Sequence, residues 1–470
     1  MAPEITLPSF NQGSLNVQEA VAQAAVTPVA NRERIVSVDA LRGVALLGIL
    51  LMNIIVFGLP MSAGNNPTFA GGHTGLNLAF WYISQIFFEG KMRALFSMLF
   101  GAGATLFALR AEERDGGLRV ADIYYRRTLW LIVFGLLHAY FIWVGDILYA
   151  YGLVGLMLFP LRKVRPMALL VAGALLLMTA GGKMAWDNYT LIQIRDKALA
   201  ADRVVAEGGQ PTEEQRAARK KWEEMRKRIN PGPAELEVEI KPHRAGYWEL
   251  FNWRMGMVVG IQSAGFYRST FYDVAGMMLI GMALLKLGII TAERGRKFYL
   301  WMILFGFGMG GTIHALIWHY YANSGFTPPF SRTITIAMFL SYDTGRLLVA
   351  SGHIGLVMLI VKSGWLKRLT SRLAAVGQMA LTCYLTTSLI CTTIFEGYGF
   401  GLFAKLQRYQ LLYVTFSVWM LLLIVSPIWL RYFRFGPMEW VWRSLTYWRR
   451  QPMKIAVQDR SPHPLATTSA

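Results

Sequence analysis

An all-α fold, a polytopic membrane helix bundle of about ten transmembrane helices with one charged extracytoplasmic insertion, is what this sequence predicts. Three observations carry that prediction. The 470 residues are 54% hydrophobic and only 16% charged, with a mean hydropathy of +0.37, which is too apolar for an ordinary soluble chain. Long apolar runs recur from residue 41 to residue 430. The formal charge of +19 is concentrated: residues 32–42, 110–127, 162–165, 294–297, 362–372 and 431–460 hold 25 of the 47 Lys and Arg. These stretches fall at the ends of the apolar runs, all on one side when the runs are threaded across a bilayer, so the basicity encodes topology rather than affinity for nucleic acid.

The expected spans are 41–59, 80–108, 129–144, 147–161, 167–186, 272–290, 298–320, 334–361, 373–395 and 411–430. An even number leaves both termini in the cytosol. The opposite-side loops 60–77 and 321–331 carry no Lys or Arg, as the positive-inside rule requires. Residues 1–33 read as a mobile cytosolic tail, with neither the basic start nor the apolar run of a signal peptide. Residues 34–186 form an N-terminal half of five spans. The insertion, 187–246, changes character: residues 187–244 carry 12 basic and 11 acidic side chains. Within it, Thr212 followed by Gln215 reads as a capping box that opens a solvated helix, stopped by Asn230 and Pro231. The module is either a solvated cap or a lid over an outer cavity. The C-terminal half, 247–432, begins with a segment interrupted by Glu249, Arg254 and Tyr267. Counting 247–267 as a span would place the basic 294–297 outside, so it is expected to be a re-entrant or interfacial helix. A basic cytosolic tail, 433–470, ends the chain. Cys383 and Cys391, about 12 Å apart along one helix, are too distant for a disulfide and read as core residues.

Ionisable residues inside the spans are the candidates for chemistry, because charge at membrane depth is costly and usually faces a bundle interior or a wet cavity. The hairpin 127–162 is apolar throughout except for His138 and Asp146. Asp146 either caps the next helix or orients the imidazole, fixing its tautomer and raising the basicity of the far nitrogen, as a general base requires. Glu89, Lys91 and Arg93 put three charges in five residues of the second span. They either form an anion site for a phosphate or carboxylate or neutralise each other internally. Asp343, Arg346 and His353 share a face of the eighth span, with a structural and a functional reading equally open. Asp39 and Arg42 are spaced for a local pair at the start of the first span, and Asn53 further along is a polar lining candidate. His314 and His319 lie near an outer helix end, where amphipathic side chains are ordinary. His73 sits in the uncharged first outer loop. No Walker A loop, G-x-S-x-G elbow, H-E-x-x-H or paired-Cys motif is present, and no metal site is expected.

Six segments, SVDALRGVALLGILLMNI (37–54), GKMRALFSMLFGAG (90–103), LLHAYFIWVGDILYAYGLVGL (136–156), DVAGMMLIGMAL (273–284), GQMALTCYLTTSLICTTIF (377–395) and WLRYFRFGPMEWVWRSLTYW (429–448), occur in this order. The chain thereby resembles the YeiB-like family of bacterial multi-pass inner-membrane proteins, which is grouped with transmembrane acyltransferases that include the lysosomal glucosaminide acetyltransferases. The resemblance implies an enzyme that passes an acyl group from cytosolic acyl-CoA to an acceptor at or beyond the membrane. The family's motifs fall on Asp39, Arg42, Asn53, Lys91, His138 and Asp146. In the glucosaminide branch the active histidine lies near the outer start of the second span; His73 stands in that neighbourhood here without the flanking pattern, and His138 ranks above it.

The sequence therefore leads to an acyltransferase acting on an envelope glycan, lipid or small molecule, with His138 as base, Asp146 orienting it, and Lys91 and Arg93 holding donor anions or the developing oxyanion. The alternative is a proton-coupled transporter or permease of a small anionic solute, built on the same buried charges; a scaffold or immunity-type membrane protein is a third reading. The partners expected are the lipid bilayer and a glycan or small-molecule acceptor, with no nucleic acid.

Overall fold

The computed structural model describes residues 34–113, 117–327 and 330–455. The predicted tail 1–33, its signal-peptide reading and the end of the basic tail lie outside the described residues. In chain order the helices are α1 (Val36–Gly58), α2 (Gly75–Ile83), α3 (Lys91–Glu113), α4 (Gly117–Phe141), α5 (Leu148–Leu158), α6 (Pro166–Ala206), α7 (Glu213–Ile229), α8 (Pro233–Arg244), α9 (Tyr247–Gly260), α10 (Phe271–Lys286), α11 (Arg296–Phe305), α12 (Gly311–Asn323), α13 (Arg332–Ser363), α14 (Lys367–Gln378), α15 (Ala380–Phe395), α16 (Leu411–Tyr432) and α17 (Pro437–Tyr447). Wide π-type turns join α2 towards α3, α9 to α10 and α11 to α12.

Each expected span falls on helix. Six helical stretches among the described residues are long and apolar enough to cross a membrane, and a seventh counts if α14 and α15, bent by 84° at Met379, form one broken span. The spans expected at 129–144, 147–161 and 272–290 fall on α4, α5 and α10; α5 has 11 residues, short of the roughly 20 that span a bilayer unaided, and α10 is the last 16 residues of a helix that begins in α9. The protein is a membrane protein of the polytopic helical class. Its outer surface agrees: Met167, Val171, Leu175 and Met178 on α6, and Phe416, Met420 and Ile424 on α16, are exposed large apolar side chains that water would penalise. The central helix is α1, 78% of whose apolar window is buried, against 17% for α6.

Three segments depart from expectation. The segment 247–267, expected to be a re-entrant or interfacial helix, is helical and continues through Ile261–Thr270 into α10 without a break. Neither Glu249 nor Arg254 stops it, because neither supplies a helix-breaking backbone, and the Arg254 side chain is satisfied in part by the Ile142 carbonyl. Helix α6 does not end near 186 but continues to Ala206, since no Gly or Pro intervenes, and it carries the start of the insertion. The expected basic tail contains α17, an amphipathic helix docked on α4, where Trp442 Nε1 donates to Arg127 O at 2.8 Å. The capping box at the start of α7 forms as read: Gln215 N donates to Thr212 Oγ1 at 3.2 Å, and Thr212 N donates to Gln215 Oε1 at 2.9 Å.

Small residues set the closest helix contacts, as they do where apolar lipid removes the usual drive to associate. At the α3–α10 crossing a Cβ built on Gly281 would stand 1.9 Å from Met98 O. The crossing holds α3, and with it Arg93, against α10 and Asp273. Gly281→Leu is expected to prevent close packing and reduce the yield of monodisperse protein in detergent several-fold. Wild-type yield and melting temperature in that variant would contradict the packing.

Candidate active site

His138 sits one turn before the end of α4, and Asp146 lies in the turn that leads into α5. Its Nδ1 is 2.9 Å from Asp146 Oδ2, with the two side chains 0% and 1% exposed. The other carboxylate oxygen, Oδ1, accepts from Tyr149 N at 2.9 Å and so caps α5. Both readings of Asp146 hold at once, and each locks the other: the cap fixes the carboxylate, and the carboxylate fixes the ring. Gly135, one turn before His138, permits the geometry, since a Cβ there would meet Tyr149 N at 2.2 Å. With Nδ1–H donated to Asp146, Nε2 carries the free lone pair; it is buried and has no hydrogen-bond partner. Tyr384 packs on the imidazole with ring centroids 5.0 Å apart.

Tyr384 also lines a cavity of about 190 Å³. Leu131, Leu148 and Tyr151 line it as well, and Tyr384 puts its wall one side chain from His138. Four guanidinium groups also line it: Arg34, Arg42, Arg127 and Arg443. Asp39 takes two of them, at 3.5 Å to Arg34 and 2.9 Å to Arg42. Arg127 and Arg443 have no ion-pair partner among the described residues and lie instead over the Trp442 and Phe435 rings at 4.4 Å each. Burial, then the neighbouring charges of Arg127 and Arg34, pull the Arg443 guanidinium down to about 10, so it stays charged at neutral pH. The cavity thus combines arginines and aromatic rings with apolar side chains, and one of its walls packs on a histidine.

Glu439, also on the cavity wall, is spent on the helix break. Its carboxylate accepts from Leu381 N at 2.6 Å, Thr382 N at 3.1 Å and Thr382 Oγ1 at 2.5 Å, closing the exposed start of α15. Burial pushes this carboxyl above the usual carboxylate range. Glu439→Ala removes an acceptor shared by three donors and is expected to lower the melting temperature of the solubilised protein by several degrees, on the scale of about 2 kcal/mol. An unchanged melting curve would contradict the capping role.

The second charged cluster is a separate network. Lys91 is fully buried, with Nζ donating to Gln85 O at 2.6 Å. Arg93 pairs with Asp273 at 3.2 Å; Arg346 pairs with the same carboxylate and with Asp343 at 2.6 Å. Glu89, half-buried, acts on Lys91 through its charge. His353 is held by Val349 O at 2.9 Å, with its ring 4.9 Å from that of Phe307. The network touches the cavity wall through Tyr151, whose hydroxyl is 2.6 Å from Ser97 Oγ and 3.4 Å from Arg93 O. So the structure joins Asp39 and Arg42 to the cavity and His138 to Asp146, while Lys91, Arg93, Glu89, Asp343 and Arg346 form a neighbouring group. Asn53 is half-buried on α1, about 16 Å along the helix from Arg42, and His73 is exposed in its loop. His314 is no ordinary helix-end residue: it is fully buried, with its ring 5.2 Å from that of Tyr342.

Sequence reasoning passed over Arg127, Arg443, Asp273 and Tyr384. The arginines counted only as topology signals at helix ends; their pairing of helix ends with aromatic neighbours was the available sign. Asp273, an acid opening an apolar helix, was another.

A family model described as "Protein of unknown function (DUF418)" matches residues 284–449. The chain is 31% identical over 418 residues to "Uncharacterized protein YeiB" of Escherichia coli (strain K12), covering 88% of this chain and 96% of the relative. It is 30% identical to "Uncharacterized protein YxaH" of Bacillus subtilis (strain 168), covering 92% and 98%. No solved structure matches the chain significantly.

Proposed function

Starting from a chain that belongs to the YeiB-like family, we propose that it is an inner-membrane acyltransferase, with both termini cytosolic, that moves an acetyl or other acyl group from cytosolic acyl-CoA to an envelope glycan, lipid or small-molecule acceptor. One observation carries the reading: a buried His138–Asp146 dyad with a free Nε2 lies one side chain, Tyr384, from a cavity lined by four arginines and by apolar side chains. The phosphates of the donor match Arg127 and Arg443, and its acyl arm matches the apolar side chains. The donor role expected for Lys91 and Arg93 passes to these arginines, because Arg93 is engaged with Asp273 and Lys91 with a backbone carbonyl.

In the reaction, His138 Nε2 takes the proton of an acceptor hydroxyl or amine as that atom attacks the thioester carbonyl. The carbon–sulfur bond breaks, and the imidazolium returns the proton to the departing thiolate. Asp146 keeps Nδ1 protonated and stabilises the imidazolium, and the water-excluded setting strengthens both effects. Tyr384 must shift to admit the reacting carbonyl. The reading is tested by the release of free thiol from acetyl-CoA by purified protein; thiol release equal in wild type and His138→Ala would refute it.

The network of Lys91, Arg93, Asp273, Asp343 and Arg346 favours a second reading, proton-coupled transport of a small anion, since its charges nearly balance inside membrane-spanning helices. Uptake into proteoliposomes driven by a pH gradient without acyl-CoA would support it in place of acyl transfer.

A further inference from the structure

Arg254 is 4% exposed on α9, the first helix after the insertion. Its Nη1 donates to Ile142 O in the turn that ends His138's helix, and Ile142 N donates to His138 O at 2.9 Å. Its Nε and Nη2 have no hydrogen-bond partner. Those two nitrogens share one edge of the guanidinium, the edge that holds a carboxylate by two parallel bonds. No carboxylate reaches ion-pair distance of Arg254 among the described residues. Glu396, whose charge acts on it, is engaged by His243 Nδ1 at 2.8 Å. A buried guanidinium that keeps its charge and leaves its best bonding edge empty is costly unless something fills it.

The surroundings tie this region to the end of α4 that carries His138. Helix α8 and the residues after it are strapped across the ends of the bundle: Met61 N donates to Glu239 Oε1 at 2.7 Å, Gly397 N to His243 O at 2.7 Å, and Tyr247 Oη to Phe141 O at 2.8 Å. The His243 ring stacks on Phe403 at 4.0 Å, and Arg244 Nε donates to Phe403 O at 3.1 Å. The insertion and the start of α9 are therefore fastened to the bundle, and Tyr247 and Arg254 reach the end of α4 that carries His138, about 16 Å along that helix from Arg127.

We infer that Arg254 is the recognition residue for a carboxylate on the acceptor, gripping it through Nε and Nη2 and so holding the acceptor beside His138; this rests on the acyl-transfer reading of the dyad. One guanidinium balances one negative charge, and Glu396 opposes a second, so a carboxylate fits better than a phosphate dianion. The test compares glucuronate with glucose, which differ in the carboxylate, as acceptors for the full chain in detergent with acetyl-CoA as donor. Wild type is expected to favour glucuronate by about 100-fold in kcat/KM, and Arg254→Ala to bring the ratio near one. Arg254→Lys keeps the charge and a donor for Ile142 but not the fork, and should also lose most of the preference. The melting temperature is followed in parallel: glucuronate should raise that of wild type more than glucose does, and not that of Arg254→Lys. No preference in wild type by either readout, or a preference that survives both variants, overturns the inference. Arg254-dependent stabilisation by glucuronate without any transfer keeps the carboxylate site and removes the acyl-transfer reading.

Discussion

Replacing His138 with Ala is expected to reduce acyl transfer from acetyl-CoA by about 10²- to 10⁴-fold, the usual contribution of a positioned general base. The protein should remain folded, because the second function of Asp146, accepting from Tyr149 N, does not involve the imidazole. Asp146→Asn separates orientation from charge. It can still cap α5 through its side-chain oxygen, but it no longer stabilises an imidazolium or enforces the Nδ1–H tautomer. Its rate should fall nearly as far as that of His138→Ala, while its melting temperature stays closer to wild type. Equal rates in wild type and both variants would remove the dyad from the chemistry, whatever its role in packing.

The second large effect concerns the donor. Arg127 and Arg443 lie on α4 and α17, and their charges are not neutralised by any carboxylate at ion-pair distance among the described residues. Substituting both with Gln is expected to weaken acetyl-CoA binding by about 100- to 1000-fold, as loss of two charge-assisted contacts implies. Binding to wild type should also weaken with added salt, and the salt dependence should be shallower in the double variant. Calorimetry on detergent-purified protein measures both. Lys91→Ala is the control that discriminates the two basic groups: it should leave donor affinity within a few-fold of wild type, because Lys91 is bonded within a different network. Affinity lost in Lys91→Ala and kept in the arginine double variant would return the donor to the site first read from the sequence.

The contrast between these two groups shows where the sequence was informative. His138 and Asp146 stood out because they interrupt an apolar hairpin, and local spacing limited Asp146 to two roles, capping the next helix or meeting the imidazole, which the structure combines. The capping box at Thr212 was legible for the same reason. Lys91 and Arg93 were equally conspicuous, but Asp273, the partner of Arg93, is about 180 residues away in the chain, and no local rule shows that it will neutralise that arginine. Arg127 and Arg443 were hidden by a sound principle applied one step too far. Basic residues at helix ends do mark topology, yet the same positions converge when α17 docks on α4, and convergence of like charge is what makes an anion site. The continuity of 247–267 with α10 was not legible because Glu249, Arg254 and Tyr267 interrupt the apolar run, whereas a helix tolerates buried charge when another helix end supplies a carbonyl. The insertion's strapping to Met61 and Gly397, and that of Tyr247 to Phe141, depends on contacts distant in the chain and was beyond any reading of the charge pattern.

The most direct test of the central claim supplies acetyl-CoA, carbon-labelled in the acetyl group, to the outside of sealed inside-out vesicles that contain the protein and an enclosed envelope extract. The account predicts that label becomes covalently attached to material inside the vesicles, that the coenzyme stays outside as free thiol, and that His138→Ala vesicles accumulate about 100-fold less. Label that enters only as intact small solute, or covalent label that appears equally with His138→Ala, would contradict transfer through the dyad.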